Sequence, residues 1–174
     1  MSDLASRIRE AALLEGDFML SSGERSRFYV DKYLFSTEPN LLRDVAGALA
    51  EQMPEGVERL AGVELGAVPL VVATSLATGL PYVIVRKAAK EHGSSAGENI
   101  EGNLDRGETV VLVEDVVTTG TQAVRAAGHL REAGVEVASI VAVLDRREED
   151  GDQIGGFPFR ALLKMDELRV VKTD

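Results

Sequence analysis

The sequence contains no cysteine and no tryptophan among its 174 residues, and only 5% of its residues are aromatic. The absence of cysteine excludes disulfide bonds, thiolate nucleophiles and cysteine-based zinc sites. Basic residues are also scarce, because 19 Lys and Arg stand against 29 Asp and Glu, which gives a net charge of −10. Proteins that bind nucleic acids or anionic membranes need a basic face, so we expect neither kind of partner.

Long hydrophobic runs are missing as well. The longest, such as residues 67–73, are far too short to span a bilayer, and residues 1–10 mix both charges instead of forming a leader. The composition is 45% hydrophobic and 28% charged, which is typical of a soluble globular domain. We therefore expect a single cytoplasmic domain over residues 1–174.

The hydrophobic patterns predict an α/β chain. Its apolar segments are continuous Val, Ile and Leu runs, which is typical of parallel strands buried on both faces. The prediction is a doubly wound, mainly parallel sheet flanked by helices over 37–174, with a small helix-plus-hairpin hood over 1–36. Predicted helices cover 3–14 (stopped at Gly16), 39–52 (capped by Thr37), 69–78 and 121–133; predicted strands cover 17–20, 27–34, 59–63, 82–86, 109–114 and 137–144.

The segment over residues 110–122 carries the clearest functional pattern. Val110 to Val113 lead to Glu114 and Asp115 at the predicted strand end, and Thr118-Thr119-Gly120-Thr121 then begins a helix. Free backbone N–H groups and the helix dipole favour an anion there, and Gly120 allows close approach of the main chain. This pattern predicts a phosphate site.

The two acids would repel a phosphate unless they served another part of the ligand. Vicinal ribose hydroxyls are suitable partners, because each can donate a hydrogen bond to a carboxylate. A ribose 5-phosphate therefore satisfies both halves of the segment. The alternative is an ordinary helix cap in which Glu114 and Asp115 are merely exposed.

A second unusual segment is the basic cluster Arg86-Lys87-Ala88-Ala89-Lys90-Glu91-His92-Gly93, followed by small polar residues. On an acidic chain this cluster favours an anionic ligand such as pyrophosphate, and we expect a mobile lid over about 87–102 that excludes water when closed. The alternative is a solvated surface turn. His129 lies among Ala and Leu on its predicted helix, and we interpret it as structural.

The run VVLVEDVVTTGTQ at 110–122 closely resembles the phosphoribosyl pyrophosphate (PRPP) motif of type I phosphoribosyltransferases. In that family the acids hold the ribose hydroxyls and the Thr-Gly turn holds the 5′-phosphate. The resemblance implies the same fold and a PRPP-binding set made up of Glu114, Asp115, Val116, Val117, Thr118, Thr119, Gly120, Thr121 and Gln122.

The string RKAAKEHG resembles the catalytic-loop signature of the orotate phosphoribosyltransferase family, Arg-Lys-x-x-Lys-x-His-Gly. The resemblance implies that Arg86, Lys87, Lys90 and His92 contact PRPP. It also implies a homodimer in which the lid reaches the neighbouring subunit's site. Lys90, His92 and Asp115 are then the candidate catalytic residues.

Three further segments are similar to the same family. Residues 18–29 resemble a hairpin that covers the base, although many members carry Lys where this chain has Ser21. Residues 62–70 resemble the pyrophosphate loop, where some members carry Lys at the position of Gly66. Residues 144–148 resemble a segment whose Arg146 reads the orotate carboxylate, and Thr118 lies where the family also touches orotate.

Together these resemblances imply transfer of phosphoribosyl from PRPP to N1 of orotate, giving orotidine 5′-monophosphate and pyrophosphate in pyrimidine biosynthesis. Mg²⁺ is expected as a cofactor that enters mainly with PRPP, because pyrophosphate oxygens and waters supply hard ligands. Two rivals remain open at this point: a purine or xanthine phosphoribosyltransferase, and a non-catalytic regulator that senses PRPP on the same fold.

Overall fold

A computed structural model describes residues 2–19, 23, 25–88, 99–148 and 151–169. Within these ranges no helix is long and apolar enough to cross a membrane. The helices are α1 (Ser2–Ala12), α2 (Lys32–Ser36), α3 (Pro39–Glu51), α4 (Val68–Thr78), α5 (Thr121–Glu132) and α6 (Met165–Arg169). The strands are β1 (Leu13–Met19), β2 (Arg25–Val30), β3 (Arg59–Val63), β4 (Tyr82–Val85), β5 (Ile100–Glu101), β6 (Thr109–Val117), β7 (Glu136–Asp145), β8 (Gln153–Ile154) and β9 (Phe157–Lys164).

The described strands form a central sheet in the order β5-β4-β3-β6-β7-β9-β8, beside a separate β1-β2 hairpin. The inner strands β4, β3, β6, β7 and β9 are parallel, and the short strands β5 and β8 pair antiparallel at the edges. One core cluster packs α1, α3 and α4 against the sheet, and a second packs α5 against it. The predicted doubly wound α/β fold is confirmed.

The core strands form where the sequence predicted them, because burial on both faces demands continuous aliphatic runs. All five residues of β3 are buried, and β6 and β7 bury nearly every side chain. Helix α4 ends where predicted, since Gly79 adopts the left-handed conformation with a φ of 75°.

The hood segment differs from the prediction at two places. The predicted helix over 3–14 ends at Ala12, and β1 begins at once, so Gly16 lies within β1 instead of stopping the helix. The predicted strand over 27–34 was wrong beyond Val30, because Asp31 caps a short helix there. Its carboxylate accepts the Tyr33 N–H at 3.0 Å, and Phe35 is fully buried on the helix that follows.

Two more predictions need correction. Glu38, not Thr37, caps α3, since its carboxylate oxygens accept the N–H groups of Asn40 at 3.2 Å and Leu41 at 2.6 Å. The C-terminal strands β8 and β9 and helix α6 were not predicted. Strand β9 interleaves exposed residues with buried ones, and this pattern differs from that of the other core strands.

Candidate active site

The turn from β6 to α5 lies at the carboxyl edge of the parallel strands. Thr118, Thr119 and Thr121 are exposed around it, and the hydroxyl oxygens of Thr119 and Thr121 lie 3.0 Å apart. Gly120 is buried with a φ of 77°, and an added Cβ would lie 2.5 Å from Ile154 Cγ2. No side chain caps α5. The Thr121 N–H makes a long contact of 3.4 Å with the Thr119 hydroxyl oxygen, and within the described part of the chain no other side chain accepts from the first turn, so these N–H groups are available to an anion.

Glu114 and Asp115 lie inside the strand and not at its exposed end, because β6 continues to Val117. Only 6% of Glu114 and 4% of Asp115 is exposed, which excludes the alternative of two solvated acids beside an ordinary cap. Burial, together with the neighbouring charge of Asp115, raises the pKa of Glu114 to about 8. A pKa of about 8 favours the protonated form of Glu114 at neutral pH, where the sequence suggested a carboxylate.

Asp115 is held on both carboxylate oxygens. The Val116 N–H donates to Oδ1 at 2.6 Å, and Lys32 Nζ donates to Oδ2 at 2.6 Å. Lys32 belongs to no motif seen in the sequence, because the strand predicted over 27–34 concealed the turn at Asp31. An Asp followed by Lys-Tyr-Leu-Phe is a helix-start signal that could have revealed α2.

The loop between β3 and α4 passes close to this ion pair. A Cβ atom on Gly66 would lie 1.5 Å from Asp115 Oδ2 and 2.9 Å from Lys32 Nζ. Position 66 therefore has no space for a side chain while Asp115 and Lys32 keep these positions. This explains in physical terms why Gly stands where some family members carry Lys.

The start of the basic cluster is anchored to the same loop. The Lys87 N–H donates to Glu64 Oε1 at 2.6 Å. The Arg86 guanidinium donates to Glu101 Oε1 at 3.2 Å and lies 4.0 Å from Glu64 Oε2. The positive charge of Lys87 also acts to lower the pKa of Glu114, although the larger effect of burial raises it.

A cavity of about 80 Å³ lies between this cluster and α5. One wall carries His129, whose Nε2 lies 2.9 Å from the Asn99 side-chain nitrogen, so this contact joins α5 to the chain just before β5. The lining consists of apolar and cationic side chains together with one amide and one imidazole: Val63, Arg86, Lys87, Gln122, Arg125, Ala126 and His129.

Arg146 and Arg147, adjacent after β7, have different surroundings. Arg147 forms a fork to Asp145, with distances of 3.0 and 2.9 Å, and its guanidinium stacks 4.4 Å from the centre of the Phe159 ring. Arg146 donates its backbone N–H to Val117, but among the described residues its guanidinium has no carboxylate partner. Burial, together with the charge of Arg169, lowers the pKa of Arg146. A half-buried cation with no carboxylate partner in the part of the chain that the structure describes suits an anionic ligand.

The candidate residues therefore come from separate segments that meet at one edge of the sheet. Lys90 and His92 lie outside the described residues. The structure brings together Lys32, Gly66, Lys87, Glu114 and Asp115, with the Thr118–Gln122 turn and Arg146 following the adjacent ends of β6 and β7.

Comparisons with known proteins agree with this geometry. Residues 36–156 match the family model described as "Phosphoribosyl transferase domain". An orotate phosphoribosyltransferase of Halobacterium salinarum is 50% identical over 169 residues, covering 95% of each chain. One of Natronomonas pharaonis is 50% identical over 147 residues, covering 84% of this chain and 83% of the relative.

Solved structures give the same result. The orotate phosphoribosyltransferase of Aeropyrum pernix superposes with a TM-score of 0.82 at 28% identity, covering 95% of each chain. That of Mycobacterium tuberculosis in complex with PRPP has a TM-score of 0.78 at 26% identity, covering 97% of this chain and 98% of the other.

Proposed function

This chain belongs to the orotate phosphoribosyltransferases, enzymes of the phosphoribosyl transferase domain family, and from that premise we propose which of its residues bind PRPP and orotate. The observation that carries the proposal is the unit from β6 to α5. It places a buried acid pair shortly before a helix whose N-cap residue, Gly120, has no side chain.

The sugar half of PRPP binds to this unit. Asp115 accepts one ribose hydroxyl through its charged carboxylate, and protonated Glu114 can both accept and donate at the second hydroxyl. The 5′-phosphate binds the N–H groups and hydroxyls of residues 118–122, where the helix dipole favours negative charge. Val116 and Val117 contribute backbone, and Gly120 keeps that backbone accessible.

Orotate binds at the end of β7. Its carboxylate forms a two-point pair with Arg146, because the planar guanidinium matches a carboxylate and has no partner among the described residues. Thr118, exposed at the adjacent end of β6, faces the junction between sugar and base. Together these contacts bring N1 of orotate next to C1′ of the ribose.

The reaction then forms the bond from N1 to C1′ as the bond from C1′ to the pyrophosphate oxygen breaks, and the N1 proton passes to the released pyrophosphate. The transition state carries positive charge on the ribose and growing negative charge on the leaving group. Charged Asp115 stabilises the former, and Lys87, with Lys90 and His92, stabilises the latter. No covalent intermediate is required, which agrees with a chain that contains no cysteine.

Mg²⁺ enters with PRPP, held by pyrophosphate oxygens and waters. Bound there, it would neutralise charge on the leaving group. The chemistry of the site fits this arrangement, because burial raises the pKa of Glu114 to about 8 and Asp115 is already paired with Lys32.

Two further parts of the proposal concern the assembly and the compartment. The enzyme works as a homodimer in which the segment between Arg86 and Asn99 serves the neighbouring subunit's site. It acts in the cytoplasm, where the acidic composition and the lack of cysteine are ordinary. The oligomeric state can be measured by analytical ultracentrifugation; a monomer with full activity would contradict the shared lid.

The direct test follows orotate disappearance with PRPP and Mg²⁺, alongside adenine, hypoxanthine, xanthine and uracil. Orotate alone should be consumed, with one pyrophosphate released for each orotidine 5′-monophosphate formed. Turnover of a purine without orotate would overturn the assignment of Arg146 while preserving the sugar site. Binding of PRPP without turnover of any base would instead fit a regulator.

A further inference from the structure

Lys32 is the one cation among the described residues that forms an ion pair with the buried acid pair, and it comes from the hood, not from the sheet edge. We propose that Lys32 is a positioning residue of the PRPP site. Its ion pair orients the Asp115 carboxylate and favours the charged form that accepts a ribose hydroxyl. This inference rests on the proposed sugar site and adds to it a residue outside the motifs that define that site.

The local fold fixes where Lys32 can reach. Asp31 caps α2 by accepting the Tyr33 N–H, and Phe35 and Ser36 are buried on the same short helix. The backbone of Lys32 is therefore anchored on both sides, and its side chain is 35% exposed while that of Asp115 is 6% exposed. A lysine in this setting is directed at Asp115 by the fold.

The geometry at Asp115 leaves the carboxylate little freedom. Val116 N–H holds Oδ1, Lys32 Nζ holds Oδ2, and the space beside Oδ2 exists only because residue 66 is glycine. With both oxygens fixed, the carboxylate plane is set before any substrate binds. Preorganisation of this kind lowers the cost of binding, because the acceptor need not be ordered later.

Lys32 also decides which acid carries the charge. The cations that act on the acid pair are Lys32 on α2 and Lys87 after β4, and the Tyr33 ring lies beside Lys32, with its centre 5.7 Å from Nζ. Burial opposes the charge on Lys32, but its hydrogen bond to Asp115 and the negative charges nearby raise its pKa overall. Lys32 is paired with Asp115 and not with Glu114, and burial raises the pKa of Glu114 to about 8. The two ribose hydroxyls thus meet one charged acceptor and one neutral acid.

The test compares Lys32→Met with Lys32→Arg and with the matched control Arg7→Met. Arg7 on α1 pairs with Asp44 on α3, and its side chain is also 35% exposed. Within the described residues Arg7 has no ion pair with Glu114 or Asp115. For Lys32→Met we expect the KM for PRPP to rise about 10- to 100-fold, because Asp115 loses its fixed orientation. The KM for orotate should change little, Lys32→Arg should recover most of the loss, and Arg7→Met should match the wild type.

A pH profile separates positioning from a purely structural role. Lys32 lowers the pKa of Glu114, so its removal should move the Glu114 transition in kcat/KM for PRPP to higher pH, and Arg7→Met should leave it in place. A lower melting temperature with both KM values and the pH profile unchanged would overturn the inference. If Lys32→Met does not fold, a Lys32→Arg variant with wild-type stability and a fully lost PRPP affinity would also overturn it. Absence of orotate turnover in the wild type would instead overturn the proposed function.

Discussion

Gly66 and Asp115 approach so closely that a single methyl group at residue 66 would lie 1.5 Å from Asp115 Oδ2. Gly66→Ala should therefore displace the Asp115 carboxylate or break its pair with Lys32. We expect the KM for PRPP to rise by at least about tenfold, because the ribose loses an oriented acceptor. Steady-state kinetics with PRPP varied at saturating orotate measures this effect.

Gly47 provides the matched control for that substitution. It lies within α3, and an added Cβ would meet no atom within 4 Å. Gly47→Ala should raise the free energy of unfolding by about 0.5–1 kcal/mol, because alanine favours the helix, and leave both KM values unchanged. Equal kinetics for the two alanine variants would show that residue 66 does not constrain Asp115.

The acid pair makes stability depend on pH through Glu114. Its folded-state pKa of about 8 lies above the ordinary value of 4.5, so its contribution is complete below pH 4.5 and is lost as pH rises through 8. Glu114→Gln should therefore flatten the pH dependence of unfolding between these limits by at most about 5 kcal/mol. Urea unfolding at several pH values measures it.

Glu55 is the control for this change, because it is exposed and makes no interaction with the described residues. Glu55→Gln applies the same chemistry at a surface position and should leave the pH dependence unaltered. If Glu114→Gln also leaves it unaltered, Glu114 is charged in the folded protein at neutral pH.

The neighbouring arginines after β7 should separate binding from stability. Arg147→Met leaves Asp145 buried and unpaired, so the free energy of unfolding should fall by about 3 kcal/mol. Arg146→Met removes no ion pair within the described residues, and the KM for orotate should rise roughly 10- to 100-fold with stability preserved. Thermal melts and orotate kinetics on both variants test this difference. Lost stability in Arg146→Met and a raised KM for orotate in Arg147→Met would contradict the assignment.

Removal of metal provides a further test. EDTA should stop orotate consumption, and added Mg²⁺ should restore it. Because the metal enters with PRPP, EDTA should leave the melting temperature of the free protein unchanged but reduce the increase that PRPP produces. A lower melting temperature of the free protein in EDTA would point instead to a resident metal.

Much of the fold could be predicted from sequence because its core strands are buried on both faces and leave a continuous aliphatic signal. The signal failed where the pattern was mixed. Strand β9 interleaves exposed residues with buried ones, and α2 is only one turn beyond a strand. The prediction placed Glu114 and Asp115 at the end of a strand that stops at 114, whereas β6 continues to Val117 and both acids are buried within it.

The contacts that tune the site were beyond sequence reasoning. The pair of Lys32 and Asp115 joins segments that no local pattern links, and its geometry depends on the absence of a side chain at Gly66. The protonation of Glu114 follows from burial, which only the folded chain determines. The roles of Lys90 and His92 stay predictions, since both lie outside the described residues.

The antiparallel pairing of β4 with β5 has a consequence for how this enzyme can vary. Val85 lies opposite Ile100, and the Arg86 N–H donates to the Asn99 carbonyl at 2.7 Å. Both ends of the connection between these strands are thus fixed by the sheet, whatever lies between them. Insertions or deletions within 89–98 should change the free energy of folding only slightly, since loop-closure entropy grows slowly with length. Selection on catalysis can therefore alter this connection without first compensating for lost stability.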